Sequence, residues 1–251
     1  MTVPPREDEA PPADDGRAAE LRAVAERYAR RRAAAVDSRY DPLRPEVWRA
    51  RQERERALVA LLRAHAARPL AQHDVLEIGC GHGDNLLELL RLGCDPKRLV
   101  ANELLPERAA AARSRLPAVL RLYEGDAAAL PFAPASFDIV LQSMVFSSLL
   151  DPAFQARLAA RLWDWVRPGG AVLWYDFTVD NPANPDVRGV SRRRLRELFP
   201  AATIDARRVT LAPPLARRAA ALAPWLCDLL GTLPPLRTHL LAWIAKPPAQ
   251  T

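Results

Sequence analysis

The stretch Val75-Leu76-Glu77-Ile78-Gly79-Cys80-Gly81-His82-Gly83-Asp84-Asn85 decides the fold. Its apolar run, Val75 to Ile78, reads as a buried strand, and three glycines follow at every second position. Leu86, Leu87, Leu89 and Leu90 then open an apolar pattern of helical spacing. Strand, glycine turn and helix form the ligand-binding corner of a doubly wound α/β sheet. Glycine suits such a turn because a Cβ would keep the backbone away from a ligand. The pattern Gly-x-Gly-x-x-Gly of dinucleotide binders would need a glycine at position 84, which is Asp. The turn therefore points to a ligand without a pyrophosphate.

Further strands follow at α/β spacing. Leu99 to Asn102 reads as a strand ending at Glu103, 24 residues beyond Gly79. An acid at the end of the next strand is placed to accept hydrogen bonds from ribose hydroxyls. Leu104 and Leu105 lead into a helix reaching Leu116, and Val119 to Tyr123 is a third strand, followed by Glu124-Gly125-Asp126-Ala127. Ser136 to Leu141 is a fourth strand running into Gln142-Ser143-Met144-Val145-Phe146, and Pro152 to Val166 is an amphipathic helix. Arg167-Pro168-Gly169-Gly170 reads as a turn into a fifth strand, Ala171 to Trp174, which ends in Tyr175-Asp176-Phe177. An irregular polar loop, Asn181 to Gly189, follows; loops over the active edge of a sheet commonly carry specificity. Ser191 is expected to cap a short helix to Phe199, Ile204 to Leu211 to form a sixth strand, and Thr238 to Ala245 a last one. Between those two lies an apolar helical stretch, Pro213 to Leu230, broken by Pro224. Core packing, a cap over the substrate, a greasy ligand or a membrane surface would each account for it.

At Glu77-Ile78-Gly79-Cys80-Gly81-His82-Gly83 the chain resembles the first motif of the class I S-adenosylmethionine-dependent methyltransferases. Ala101-Asn102-Glu103-Leu104 resembles the second, and Gly125-Asp126-Ala127 resembles the adenine site of that family. The resemblance covers roughly Asp74 to Phe177 and extends more loosely to the C-terminus. It implies a Rossmann-like α/β fold: a seven-stranded, mostly parallel sheet with helices on both faces and an N-terminal helical lid. Residues 1–18 would be a disordered tail, 19–70 the lid and 71–251 the catalytic domain. It also implies S-adenosylmethionine as cofactor, with S-adenosylhomocysteine as product, and no metal. Glu77, Gly79, Gly81, Gly83, Asn85 and Leu104 would contact the cofactor, and Glu103 would hold its ribose. Asp126 would accept from the exocyclic amine of adenine, and the Ala127 N–H would donate to a ring nitrogen. Gln142, at a strand end, is a candidate contact to the amino-acid part of the cofactor or to the substrate. From the lid, Tyr40 is expected to reach the cofactor, with Gln52 and Arg56 as further candidates.

The best-placed catalytic groups are Tyr175, Asp176 and Gln142. Tyr175 would orient an acceptor or place its ring against the sulfonium. Asp176 would take a proton from an acceptor hydroxyl or amine. Methyl transfer to a small molecule, a sugar or a secondary metabolite, is the leading expectation. The same architecture would also support an azetidine-2-carboxylate synthase, in which the cofactor's α-amine attacks its own γ-carbon and methylthioadenosine leaves. A degenerate fold kept as a binding module is a third reading, against which the intact glycines, Glu103 and Asp126 argue. An Asn-Pro-Pro-Tyr-like tetrapeptide after strand four, which would suggest an RNA or protein substrate, is replaced by Gln142-Ser143-Met144-Val145.

Composition agrees with one domain and an elaboration. The 251 residues are 49% hydrophobic and 26% charged, with net charge +6. Residues 1–20 hold six acids and two bases, so the remainder is strongly basic, almost entirely through arginine. No arginine run is interleaved with aromatics, and no nucleic-acid partner is expected. Cys80, Cys94 and Cys227 have no metal or redox spacing and suit a reducing cytoplasm. His65, His73, His82 and His239 show no ligand spacing. Neither a signal peptide nor a transmembrane helix is expected.

Overall fold

The computed structural model describes residues 15–33, 41–180 and 184–249. Seven strands form one sheet: β1 (Val75–Ile78), β2 (Leu99–Glu103), β3 (Arg121–Glu124), β4 (Phe137–Ser143), β5 (Val166–Phe177), β6 (Thr203–Leu211) and β7 (Arg237–Ala245). Their order is β3-β2-β1-β4-β5-β7-β6. β1 to β5 are parallel, and β7 runs antiparallel between β5 and β6. The order reverses beside β1, so the crevice at the carboxyl ends of β1, β2 and β4 is where such a sheet takes a ligand.

Alternation along the strands divides the core into two layers. Val75, Leu99, Ala101, Ile139, Leu141 and Leu173 face one cluster, completed by α2 (Pro45–His65) and α3 (Asp84–Arg91) through Leu58, Leu61, Leu62, Leu86 and Leu89. The same cluster takes Ala112 from α4 (Pro106–Arg115). Leu76, Ile78, Val100, Val140, Val172 and Trp174 face the other. There α5 (Pro152–Trp165) contributes Phe154, Leu158, Leu162 and Trp165, and α6 (Arg192–Leu198) contributes Leu195 and Leu198. α1 (Asp15–Ala33) adds Val24 to this second layer. Both sheet faces are thus covered by helices, as a largely parallel sheet requires.

Local chemistry explains the boundaries and corrects several expectations. Asp151 caps α5 by accepting from the N–H groups of Ala153 and Phe154, and Pro152 stands first in that helix, where no N–H is needed. Ser191 caps α6 through the Arg194 N–H, as expected. Gly83 holds the cap position of α3, Asp84 pairs with Arg115, and Asn85 turns back to Glu77. Arg167 to Gly170 is not a turn before β5 but a bulge within it, since pairing with β4 shifts between Phe137–Val166 and Ile139–Ala171. α1 begins at Asp15, inside the stretch expected to be disordered. Tyr40 lies outside the described residues.

The remaining elements form an insertion. β6 and β7 pair as a hairpin whose connection carries α7 (Pro213–Leu222) and α8 (Leu226–Gly231). Leu211 pairs with Arg237 at the connected end of that hairpin, close to where Phe177, ending β5, pairs with His239. The insertion therefore rises from the same sheet edge as the glycine turn. Among the described residues, no helix is long and apolar enough to cross a membrane.

Candidate active site

The glycine turn sets the geometry of the crevice. Gly79 has φ +62° and Gly81 φ +60°, a region that side chains with a Cβ rarely enter. A Cβ on Gly79 would stand 2.6 Å from Val145 Cγ2, and one on Gly81 would stand 2.6 Å from an Arg108 guanidinium nitrogen. The second motif locks this turn from below. Glu103 is 3% exposed; its Oε2 accepts from the Gly81 N–H at 2.7 Å and its Oε1 from the Leu105 N–H at 3.0 Å. Each oxygen keeps a lone pair for a further donor.

A cavity of about 130 Å³ opens over these strand ends. Its base is Ile78, Gly79, Glu103 and Leu104; Asp126 and Ala127 form one side, and Met144, Val145, Phe154 and Leu158 the apolar side. The roof is α1, through Leu21, Val24 and Tyr28. Ligand pockets usually exceed about 300 Å³; here three side chains of α1 close over the space. Asp126 Oδ1 accepts from the Ala128 N–H at 2.9 Å, while Oδ2 pairs with Arg17 of α1. Arg27 holds the helix down by donating to Glu20 and to the Ser148 carbonyl, at 2.7 and 2.9 Å. Arg108 stacks over the Tyr28 ring at 4.9 Å. Burial alone would lower the Arg108 pKa, but Tyr28 and Glu103 outweigh it and raise it. Met144 enters the site at φ +62°, a strained conformation for a residue with a side chain.

The other sheet face carries a second, smaller cavity beneath α2, lined by Arg54, Asn85, Ser143 and Tyr175. Glu77 is fully buried beside it. Its Oε1 accepts from the Asn85 amide at 2.6 Å, whereas Oε2 has no hydrogen-bond partner. Burial pushes the Glu77 carboxyl up to about 8, against the opposing pull of Asn85 and Arg54. Arg54 donates to Glu88 at 3.0 Å and lies over the Tyr175 ring at 5.2 Å.

Expected site residues thus fall into four groups. Gly79, Glu103, Leu104, Asp126 and Ala127 line the main cavity together. Asn85 and Tyr175 line the second one, with Glu77 behind them; Gly81 and Gly83 shape the turn without lining either cavity. Gln142 and Asp176 line neither. Gln142 is fully buried, its amide donating to the Tyr175 carbonyl at 3.4 Å and its Oε1 accepting from the Val145 N–H at 3.2 Å. Asp176 is fully buried and accepts from the N–H groups of Ser147 and Phe177, both at 3.0 Å. Successive strand residues point to opposite faces, so Tyr175 and Asp176 do not converge on one substrate. The Tyr175 hydroxyl is already paired with Thr210 Oγ1 at 2.9 Å, and its ring stacks on His239 at 5.2 Å. From α2 it is Arg54 that faces inward, while Arg56 is exposed. Counting back one and two turns from Leu58 and Leu61 gives that phase. Arg17, Tyr28 and Arg108 have no sequence signal, because their contacts join distant segments.

Known proteins share this fold. Residues 75–170 match the model described as a methyltransferase domain. The chain is 32% identical over 120 residues to a demethylmenaquinone methyltransferase of Deinococcus radiodurans, covering 46% of this chain and 48% of that protein. It is 35% identical over 138 residues to phthiotriol/phenolphthiotriol dimycocerosates methyltransferase 1 of Mycobacterium ulcerans, covering 51% of this chain and 47% of that one. The aligned part spans about half the length of these relatives. Among solved structures, 1,6-didemethyltoxoflavin-N1-methyltransferase of Burkholderia thailandensis, crystallised with 1,6-didemethyltoxoflavin and S-adenosylhomocysteine, superposes with TM-score 0.60 at 22% identity. That superposition covers 96% of this chain and 93% of the other. A strand–glycine turn–helix corner, an acid closing β2 and a seven-stranded sheet with one antiparallel strand therefore give the chain the class I methyltransferase fold, within which residues 75–170 match a methyltransferase domain.

Proposed function

We propose that the chain transfers the methyl group of S-adenosylmethionine to a small-molecule acceptor, a secondary metabolite or a sugar. The observation that carries this reading is the main cavity, where Gly79, Glu103, Leu104, Asp126 and Ala127 meet at the carboxyl ends of parallel strands. The residues present fit the cofactor: the turn brings bare backbone to the ligand edge, and Glu77 Oε2 is a buried carboxylate oxygen awaiting a donor. When bound, the sulfonium supplies an activated methyl carbon open to displacement by a nucleophile.

The protein's part is to bind, align and exclude water. Glu103 would hold the ribose hydroxyls with its remaining lone pairs, and Asp126 the adenine amine once Arg17 releases it. Ala127 N–H would meet a ring nitrogen. Glu77 would accept from the ammonium of the methionine moiety, whose positive charge would keep the buried carboxylate ionised. Met144, Val145, Phe154 and Leu158 wall the acceptor side with apolar surface, which suits desolvation of a nucleophile. Tyr175 would wall the second cavity rather than transfer a proton, since its hydroxyl is paired with Thr210 and its ring lies between His239 and Arg54.

The reading is tested by incubating purified protein with S-adenosylmethionine, with and without a panel of small hydroxyl and amine acceptors, and identifying products by mass spectrometry. S-adenosylhomocysteine formed only with an acceptor, together with an acceptor heavier by one methylene, is expected. Methylthioadenosine with a cyclic amino acid, formed from the cofactor alone, would replace methyl transfer by the intramolecular cyclisation.

A further inference from the structure

The α7–α8 insertion is more apolar on its outside than the fold requires. Leu222 is 82% exposed, Trp225 59%, Leu229 54% and Leu233 50%. These positions are spaced three or four apart across the end of α7, α8 and the turn beyond it. Inward, Ala216, Ala219 and Cys227 close a small cluster of their own with Leu211, so the exposed residues are not needed to hold the insertion together. Leu43 and Trp48 stand exposed at the start of α2, whose Arg49 pairs with Asp228 of α8. The patch therefore spans two parts of the chain, on the sheet edge that carries both cavities.

We propose that this face seats on the surface of an anionic lipid bilayer. Charge selects that occupant over a second apolar protein surface. Between residues 213 and 236 the charged residues are Arg217, Arg218 and Asp228. Asp228 is neutralised by Arg49, and Arg237 at the base pairs with Glu53. Beside Leu43 and Trp48, Glu46 pairs with Arg44 and Asp41 is exposed; Arg217, Arg218 and the exposed Arg208 have no carboxylate partner among the described residues, which leaves the rim of the patch net positive. An apolar face of Trp and Leu bordered by unpaired arginines lies in a headgroup layer, with the rings at the acyl boundary and the guanidinium groups at the phosphates. Pro224, Pro234 and Pro235 are exposed within the patch and carry no N–H, so partial immersion strands fewer backbone donors. The insertion would dip without crossing, and would set the cavity edge against the lipid. The proposal does not depend on methyl transfer.

Sedimentation of the full chain with vesicles tests it. Binding to phosphatidylcholine–phosphatidylglycerol vesicles, weakened by salt and much weaker on phosphatidylcholine alone, is the expected result. The double variant Trp225→Ser/Leu229→Ser should bind roughly tenfold or more weakly. Arg217→Gln/Arg218→Gln should lose roughly tenfold on anionic vesicles only. Val119→Ser, which removes an equally exposed apolar residue just before β3 on the opposite edge, should bind like wild type. Melting curves matching wild type show that the variants fold. Absence of binding to the anionic vesicles, or binding unchanged in both double variants, would overturn the proposal. So would self-association that Trp225→Ser/Leu229→Ser abolishes in a chain that ignores vesicles, because it would assign the face to a second copy.

Discussion

Gly79 carries two constraints that one substitution separates. Its φ of +62° disfavours any Cβ, and that Cβ would meet Val145 Cγ2 at 2.6 Å. Gly79→Ala is expected to lower stability by about 1–3 kcal/mol in urea unfolding. Adding Val145→Ala should recover the contact part and leave the backbone part. Full recovery would mean that the backbone conformation costs nothing. Glu103 was legible from its place at a strand end and Asp126 through the resemblance of Gly125-Asp126-Ala127 to an adenine site, and both line the cavity. Their second roles were not legible: Glu103 fastens the glycine turn and Asp126 starts the short turn Ala127–Ala129. Tyr175 and Asp176 show the opposite case. The period of two along a strand already separates them, and adjacency in sequence is no guide to a shared site.

At the scale of elements, α1 is the part that must yield. It roofs the cavity and spends Arg17 on Asp126. The Arg17 side chain is 37% exposed, so solvent weakens the pair to about 0.5–1 kcal/mol. Arg17→Ala is accordingly expected to tighten S-adenosylhomocysteine binding about two- to fivefold in calorimetric titration. A loss of affinity would instead make Arg17 a cofactor contact. The sequence announced a helical lid only from residue 19, and not the partner of Arg17, because the 109-position separation of Arg17 and Asp126 is bridged by tertiary packing alone. The helical break at Pro224 was equally legible. That the insertion stands outside the core depends on β6–β7 pairing, which no local pattern encodes.

For the whole molecule, buried acids link folding to pH. Burial raises Asp176 from its ordinary 3.8 to about 7 and Glu77 from 4.5 to about 8. The native state holds both protons more tightly than the unfolded chain does. Their contribution is complete below their ordinary values and is lost as pH rises through about 7 and 8. His239 acts in the other direction: burial lowers it from 6.5 to about 4, so its contribution is present above 6.5 and lost as pH falls through 4. Between pH 6.5 and 8 the two acids dominate, and the melting temperature should fall across that window. Asp176→Asn should flatten the lower part of the fall and Glu77→Gln the upper part. A melting temperature that rises from 6.5 to 8 would contradict the buried-acid account.

The fold was legible because glycines, apolar runs and strand-end acids are local signals, while face assignments and long-range ion pairs required the assembled sheet. The measurement that tests the central claim most directly is calorimetric titration of S-adenosylhomocysteine into wild type and Asp126→Ala. The account predicts saturable binding to wild type and a roughly ten- to hundredfold loss in the variant, as for a charged hydrogen bond left unmade, with the fold retained. Equal affinity in the two proteins, or no binding to wild type, would contradict it.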